Sequence, residues 1–269
     1  MRKAVFVLAS CDDGPMLVAR TDVQRVRGVD ATVGVSTFLL EQGSYSQGEL
    51  DDLLKLSSAR RSRLGSDNFT VLDIGANVGA FAIPWAKFLT GWGGLIAVEA
   101  QERLFGALWG NITLNNLFNA RAIWAAAADQ CGLMPGPTMD YEKTANFGGV
   151  SMLPEHNAEQ PVKDYQQIVP AITVDSLNLR RVDVIKIDVE GMEPHVLRGA
   201  RDTIRRNLPI LSIEHHLCGK NAICAELPDY VFMDCGIHML CLHRDDPLTS
   251  VVKVGEHLPP VTGSLKVVA

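Results

Sequence analysis

From residue 70 onward the chain repeats one pattern, a short apolar run followed by a longer stretch whose apolar positions fall three or four apart. The runs at 70–74, 94–100, 120–128, 182–189 and 209–216 show little alternation of polar and apolar residues. Continuity of that kind predicts strands covered on both faces, as in a parallel sheet, because a strand with one wet face alternates. Helices are predicted over 77–90 and 102–116, the second carrying Leu104, Leu108 and Ile112 on one stripe. Pro84 lies inside the first and predicts a kink or an irregular start. Runs at 230–235 and 238–243 flank Gly236 and predict a closing antiparallel hairpin. The fold class that follows is α/β, an open, doubly wound and mostly parallel sheet with an antiparallel C-terminal hairpin.

Two segments lie outside this rhythm. Residues 1–45 hold short β-like runs at 4–9, 16–20 and 33–40 between Gly and Asp turns, and read as a β-rich N-terminal cap. Ser46 and Glu49 have capping-box spacing ahead of Leu50, Leu53, Leu54 and Ser57, so a helix is predicted that ends in the polar stretch 60–68. Residues 130–170 are rich in Gly, Pro, Asn and Glu and show no sustained period, yet Asn146-Phe147-Gly148-Gly149-Val150-Ser151 is too apolar for a linker. They read as a lid or insertion over a substrate. One domain over 1–269 is expected: the cap 1–45, a cofactor-binding half 46–129, the insertion 130–170 and a catalytic half 171–269.

Composition narrows the classes. With 269 residues, 47% hydrophobic, a net charge of −6 and no apolar run long enough to span a bilayer, a soluble domain without membrane or nucleic-acid partners is expected. The groups Arg60, Arg61, Arg63 and Arg201, Arg205, Arg206 read as solvated helix faces. Arg2 and Lys3 ahead of Leu8-Ala9-Ser10-Cys11 look like a lipoprotein signal in miniature, but the apolar run is too short and a first strand is the reading. Cys218, Cys224, Cys235 and Cys241 are separated by five, ten and five residues, which suits strand interiors better than zinc knuckles. Free thiols in a reducing cytoplasm follow, with no metal ligands assigned.

The chemistry concentrates at strand ends. Val71-Leu72-Asp73-Ile74-Gly75-Ala76-Asn77-Val78-Gly79 breaks an apolar run into glycines before a helix, and Glu99 follows twenty residues after Gly79. Gly75 and Gly79 let backbone approach a ligand, and Glu99 is placed to take the hydroxyls of a ribose. The loop lacks the third glycine that seats a pyrophosphate, so a nucleoside without phosphates is expected. Asp73, Gly75, Ala76, Asn77, Gly79, Glu99 and Asp188 are the candidate cofactor contacts, with Asp73 facing a cationic amino group. In Asp183-Val184-Ile185-Lys186-Ile187-Asp188-Val189-Glu190-Gly191-Met192-Glu193-Pro194, the charges of Lys186, Asp188, Glu190 and Glu193 need partners among themselves, a metal or a substrate.

These residues, with Ala97-Val98-Glu99-Ala100, Ile172-Thr173-Val174-Asp175-Ser176-Leu177 and Val196-Leu197-Arg198-Gly199-Ala200, resemble the FkbM family of S-adenosylmethionine-dependent methyltransferases over about residues 45 to 216. The resemblance implies a class I methyltransferase, Rossmann-like fold with a seven-stranded sheet, S-adenosylmethionine as cofactor, and methylation at a hydroxyl of a sugar or polyketide-like acceptor. Family members often have Glu-Pro where this chain has Glu99-Ala100. An alcohol needs a base or a cation to lose its proton near neutrality. Asp188 leads the catalytic candidates, followed by Glu190 and His215, while one of His215 and His216 is expected to be merely an end-of-strand residue. A magnesium ion shared by Asp188 and Glu214 is a secondary expectation. A nicotinamide oxidoreductase and a non-catalytic cofactor-binding protein are the competing readings, and the expected partners are a small-molecule or glycan acceptor, with self-association open.

Overall fold

The computed structural model describes residues 3–26, 28, 30–65, 67–158, 160–250, 252–254 and 265–267, so Arg2 of the positive start lies outside the described residues. The chain opens with an antiparallel hairpin, β1 (Phe6–Cys11) and β2 (Gly14–Ala19), and a short pair, β3 (Gln24–Arg25) and β4 (Thr32–Val33). The run at 33–40, expected as a strand, is mostly helix: α1 spans Val35–Gln42. Asp22 decides this, because its buried carboxylate accepts the Ser36 amide at 2.7 Å and its carbonyl accepts the Thr37 hydroxyl at 2.6 Å, satisfying groups at the start of the helix.

Helix α2 (Gln47–Leu64) follows, but the capping box does not close on the backbone. Ser46 sits at φ 47°, and Glu49 turns toward the sheet, where it accepts the Ser212 hydroxyl at 3.2 Å. Arg60, expected on a solvated face, is buried. It pairs with Asp246 at 2.5 Å and donates to the carbonyls of Asn207 and Leu208, tying α2 to the far end of the chain.

The core strands are β5 (Phe69–Ile74), β6 (Gly93–Glu99), β7 (Ala120–Trp124) and, further on, β11 and β12. Helices α3 (Ala82–Phe88) and α4 (Glu102–Leu114) link the first three. Helix α3 starts later than expected, which puts Pro84 third in the helix, where its missing N–H removes no intrahelical bond and no kink is needed. The run 120–128 divides. After β7 the chain bends, and β8 (Ala126–Ala127) leaves the main sheet for a second, three-stranded one with β9 (Gly132–Met139) and β10 (Val162–Ile172) in the order β8-β10-β9. The two ends of the segment 130–170 are therefore a β-arm, whose prolines, glycines and register shifts hid its period.

β11 (Val184–Ile187), α5 (Glu193–Arg198), α6 (Arg201–Asn207), β12 (Ile210–Glu214), α7 (Lys220–Glu226), β13 (Tyr230–Asp234) and β14 (His238–His243) complete the main sheet. Its seven strands run in the order β13-β14-β12-β11-β5-β6-β7, with the five from β12 to β7 parallel and the hairpin β13–β14 antiparallel. Alternate residues face opposite layers. Val71, Val184 and Ile210 pack with Leu56, Trp85 and Leu104, while Leu72, Ile185 and Leu211 pack with Val196, Ile204 and Ile223. Covering both faces in this way is what the unbroken apolar runs required. Strand order reverses between β5 and β11, and a parallel sheet opens a crevice at the carboxyl end of such a switch point. Among the described residues, no helix is long and apolar enough to cross a membrane.

Candidate active site

A cleft of about 560 Å³ opens at that switch point, lined by the ends of β5, β6, β11 and β12 and roofed by the insertion. Its floor begins at Gly75. At φ 86° a Cβ there would stand 1.7 Å from the Asp188 carbonyl oxygen, so only glycine lets the turn after β5 approach the end of β11 so closely. Ala76 and Asn77 also line the cleft. Gly79 does not, and its φ of 96° serves packing, because a Cβ would meet Leu108 at 2.9 Å.

Glu99, at the end of β6, accepts the Asn77 amide at 2.8 Å through one oxygen and the Gln101 amide at 2.7 Å through the other. Both oxygens keep a lone pair for a ligand's hydroxyls. Burial pushes its pKa up to about 7, against those amide bonds. Asp73 is only 1% exposed, and neither carboxylate oxygen has a hydrogen-bond partner. Burial pushes its pKa up to about 6 even with the Lys186 ammonium nearby. A buried carboxylate without a donor is costly, and a ligand that brings a cationic amino group relieves the cost.

Lys186 has Asp73 beside it on one neighbouring strand and Ser212 on the other, since the three share one row of the strand register. Its ammonium lies 2.8 Å from Asp188 Oδ2 and 4.5 Å from the ring centroid of Phe81. Asp188 would be pushed up by burial, but Lys186 and its hydrogen bonds outweigh that and hold its pKa below the usual value. Lys186 in turn is raised, its carboxylate neighbours outweighing burial.

Beyond Asp188 the acidic residues continue. Glu190 sits at φ 54° in the turn after β11, raised by burial and by the neighbouring Glu214, Asp188 and Glu193. Glu214 is raised for similar reasons. His216 lies 3.4 Å from Glu214 and 3.6 Å from Glu190, and its contact with Glu214 is the main cause of its raised pKa. Glu193 is not part of this group, because its carboxylate accepts the Val189 and Gly191 amides and closes the turn itself.

Of the expected catalytic residues, the structure brings Asp188 and Glu190 into the cleft but places His215 elsewhere. His215 donates its amide to Ile237, extending the strand pairing by one residue, so alternation sends its ring away from the Glu214 side, to within 3.8 Å of Asp234. His216 shares the Glu214 side and lines the cleft. Asp188 and Glu214, the pair expected to share a magnesium ion, do meet in hydrogen-bonding contact, but Asp188 is also bound to Lys186, and the three residues whose ligand atoms come together are Glu190, Glu214 and His216. The insertion adds His156, packed against Gly191, and Phe147, whose amide donates to Asp22 at 2.8 Å and whose carbonyl accepts from Gln101 at 2.8 Å. The departure at Ala100-Gln101 thus gives the roof an anchor, a role the sequence did not signal.

Residues 73–234 match the family model of the methyltransferase FkbM domain. Methyltransferase 1 of Beauveria bassiana (strain ARSEF 2860) is 25% identical over 218 residues, 66% of this chain and 82% of that protein. Among solved structures, methyltransferase FkbM from Methylobacillus flagellatus KT is similar at a TM-score of 0.46 and 18% identity, over 66% of this chain and 44% of that one. The chain therefore spans less than half the length of that relative. The Aeropyrum pernix fibrillarin complex with natively bound S-adenosyl-L-methionine is similar at a TM-score of 0.41 and 13% identity, over 90% of this chain and 95% of that one.

Proposed function

The chain belongs to the FkbM methyltransferase family, and from that premise we propose that it moves a methyl group from S-adenosylmethionine to a hydroxyl of a small-molecule or sugar acceptor. The observation that carries the cofactor reading is Asp73, a buried carboxylate without a hydrogen-bond donor beside the Gly75 turn. It suits the ammonium of the methionyl tail, and Glu99 suits the ribose hydroxyls. When bound, the cofactor supplies a methyl group already activated on a positively charged sulfur.

The protein's share is alignment and charge. Lys186 keeps Asp188 ionised at the end of β11, where a negative charge favours a cationic ligand in a partly dry cleft. Holding the acceptor oxygen in line with the methyl group converts an encounter into an intramolecular step. As the acceptor oxygen's electron pair forms its bond to the methyl carbon, the carbon–sulfur bond would break with its pair left on the sulfur, and Glu190, Glu214 and His216 would take the acceptor's proton. The same carboxylates disfavour the oxidoreductase reading, since they would repel a pyrophosphate lying against them. The six unpaired thiols fit the expected reducing, cytoplasmic setting.

Thermal shift tests this directly. S-adenosylmethionine and its demethylated product should each raise the melting temperature while NAD does not, and no shift at millimolar ligand would remove the assignment. Once an acceptor is found by methyl incorporation, Asp188→Ala should abolish turnover with the protein still folded.

A further inference from the structure

One oxygen or nitrogen from each of Glu190, Glu214 and His216 lies within 4.8 Å of the others. The three come from two turns and are fixed independently. Glu190 is set by the left-handed turn after β11, and Glu214 ends β12, with His216 two residues on and on the same side. The imidazole stands between the carboxylates, Nδ1 toward Glu214 and Nε2 toward Glu190.

Two further observations indicate that something is to be bound here. Glu214 Oε2 is buried and has no hydrogen-bond donor, on a side chain only 12% exposed. Lys186, the lysine of this cleft, is already committed to Asp188, so it does not neutralise Glu190 and Glu214 as well. Carboxylates crowded into a half-dry cleft with one ammonium among them need another positive charge, which His216 supplies as an imidazolium when no ion is bound and a metal ion would supply in exchange for its proton.

The geometry points to a divalent-metal site with Glu190, Glu214 and His216 as its protein ligands, taking a transition-metal ion of the manganese class in preference to magnesium. The donor set decides the preference. An imidazole nitrogen suits first-row transition ions, whereas magnesium favours a shell of oxygens and keeps its waters. Three protein ligands leave coordination positions open toward the cleft, where a hydroxyl, or two adjacent hydroxyls, of an acceptor can ligate. An ion so held lowers the pKa of that hydroxyl. Only this last assignment rests on the methyltransferase reading; the binding of the ion does not.

Chelator-stripped full-length protein is titrated with Mn²⁺, following loss of the free-ion electron paramagnetic resonance signal, and separately with Mg²⁺ by calorimetry. One Mn²⁺ per chain is expected, at least about tenfold tighter than Mg²⁺. Glu190→Gln and His216→Gln should each weaken Mn²⁺ by about tenfold or more. Calorimetry of the demethylated cofactor on the same samples shows that each variant is folded and tests the methyltransferase reading on its own. Cofactor binding without Mn²⁺ binding overturns the metal site alone, and Mn²⁺ binding without cofactor binding keeps the site and removes the acceptor role. Equal affinity for the two ions, or unchanged Mn²⁺ affinity in both variants, also overturns it. Should both variants misfold, the wild-type titration decides by itself.

Discussion

Lys186 is the residue on which the charge balance of the site turns, and Lys186→Met isolates its contribution. The side chain is 4% exposed, its ammonium lies 2.8 Å from Asp188 Oδ2, and Asp73 is beside it in the strand register. Methionine keeps much of the stem volume and the contact with Phe81 but leaves Asp188, whose side chain is 32% exposed, without its counter-charge. Removing one partner of a fully buried pair costs about 3–5 kcal/mol; with Asp188 partly open to water, about 1–3 kcal/mol is expected. For a chain of this size that corresponds to a drop of about 2–12 °C in melting temperature. The pH dependence carries a sign. In the wild type the folded pKa of Asp188 lies below its unfolded value, so the pair's contribution is present above that unfolded value and fades as pH falls through the folded one. In the variant Asp188 prefers its proton, so the loss should be larger at pH 8 than at pH 5. Urea denaturation at both values measures it, and Asp188→Asn added to Lys186→Met should recover part of the loss. A cost below about 1 kcal/mol at pH 8, or no recovery in the double variant, would refute the claim that this half-buried ion pair stabilises the fold.

Three other outcomes are expected. Asp73→Asn should weaken S-adenosylmethionine binding while stabilising the ligand-free protein: the folded pKa is raised to about 6, so ionisation costs stability as pH climbs from about 4 through 6, and the gain, up to about 3 kcal/mol at pH 8, should vanish near pH 4. Gly75→Ala should cost about 2–4 kcal/mol in chemical denaturation and abolish cofactor-induced thermal shifts, because the new methyl meets the Asp188 carbonyl at an unfavourable φ; near-wild-type behaviour would show that the turn adapts. Arg60→Met should cost about 3–5 kcal/mol by leaving Asp246 and Asp183 short of a buried partner, with little change in cofactor affinity; calorimetry and denaturation together separate the two effects.

What the sequence by itself determined is the central sheet and its cofactor end. Unbroken apolar runs such as 70–74 require burial on both faces, and the glycines, carboxylates and their spacing mark the carboxyl ends of those strands. These are local signals, since burial pattern and backbone freedom are written in neighbouring residues. The family resemblance rested on the same stretches, and the FkbM match over 73–234 is its counterpart.

Tertiary structure decided the rest, through contacts between residues far apart in the chain. Asp22 makes 35–42 a helix and also holds Phe147, 125 residues away. Ser212 draws Glu49 from its local cap, and Asp246 draws Arg60 from the surface. The irregular stretch 130–170 finds its order as a β-arm by pairing β10 with β8 and β9. His215 and His216 could not be told apart until one backbone bond to Ile237 set the alternation that turns one ring to the opposite side, toward Asp234, and the other into the cleft. In each case a polar group took a distant partner that no local period encodes, because burial makes satisfying that group worth more than the local preference it gives up.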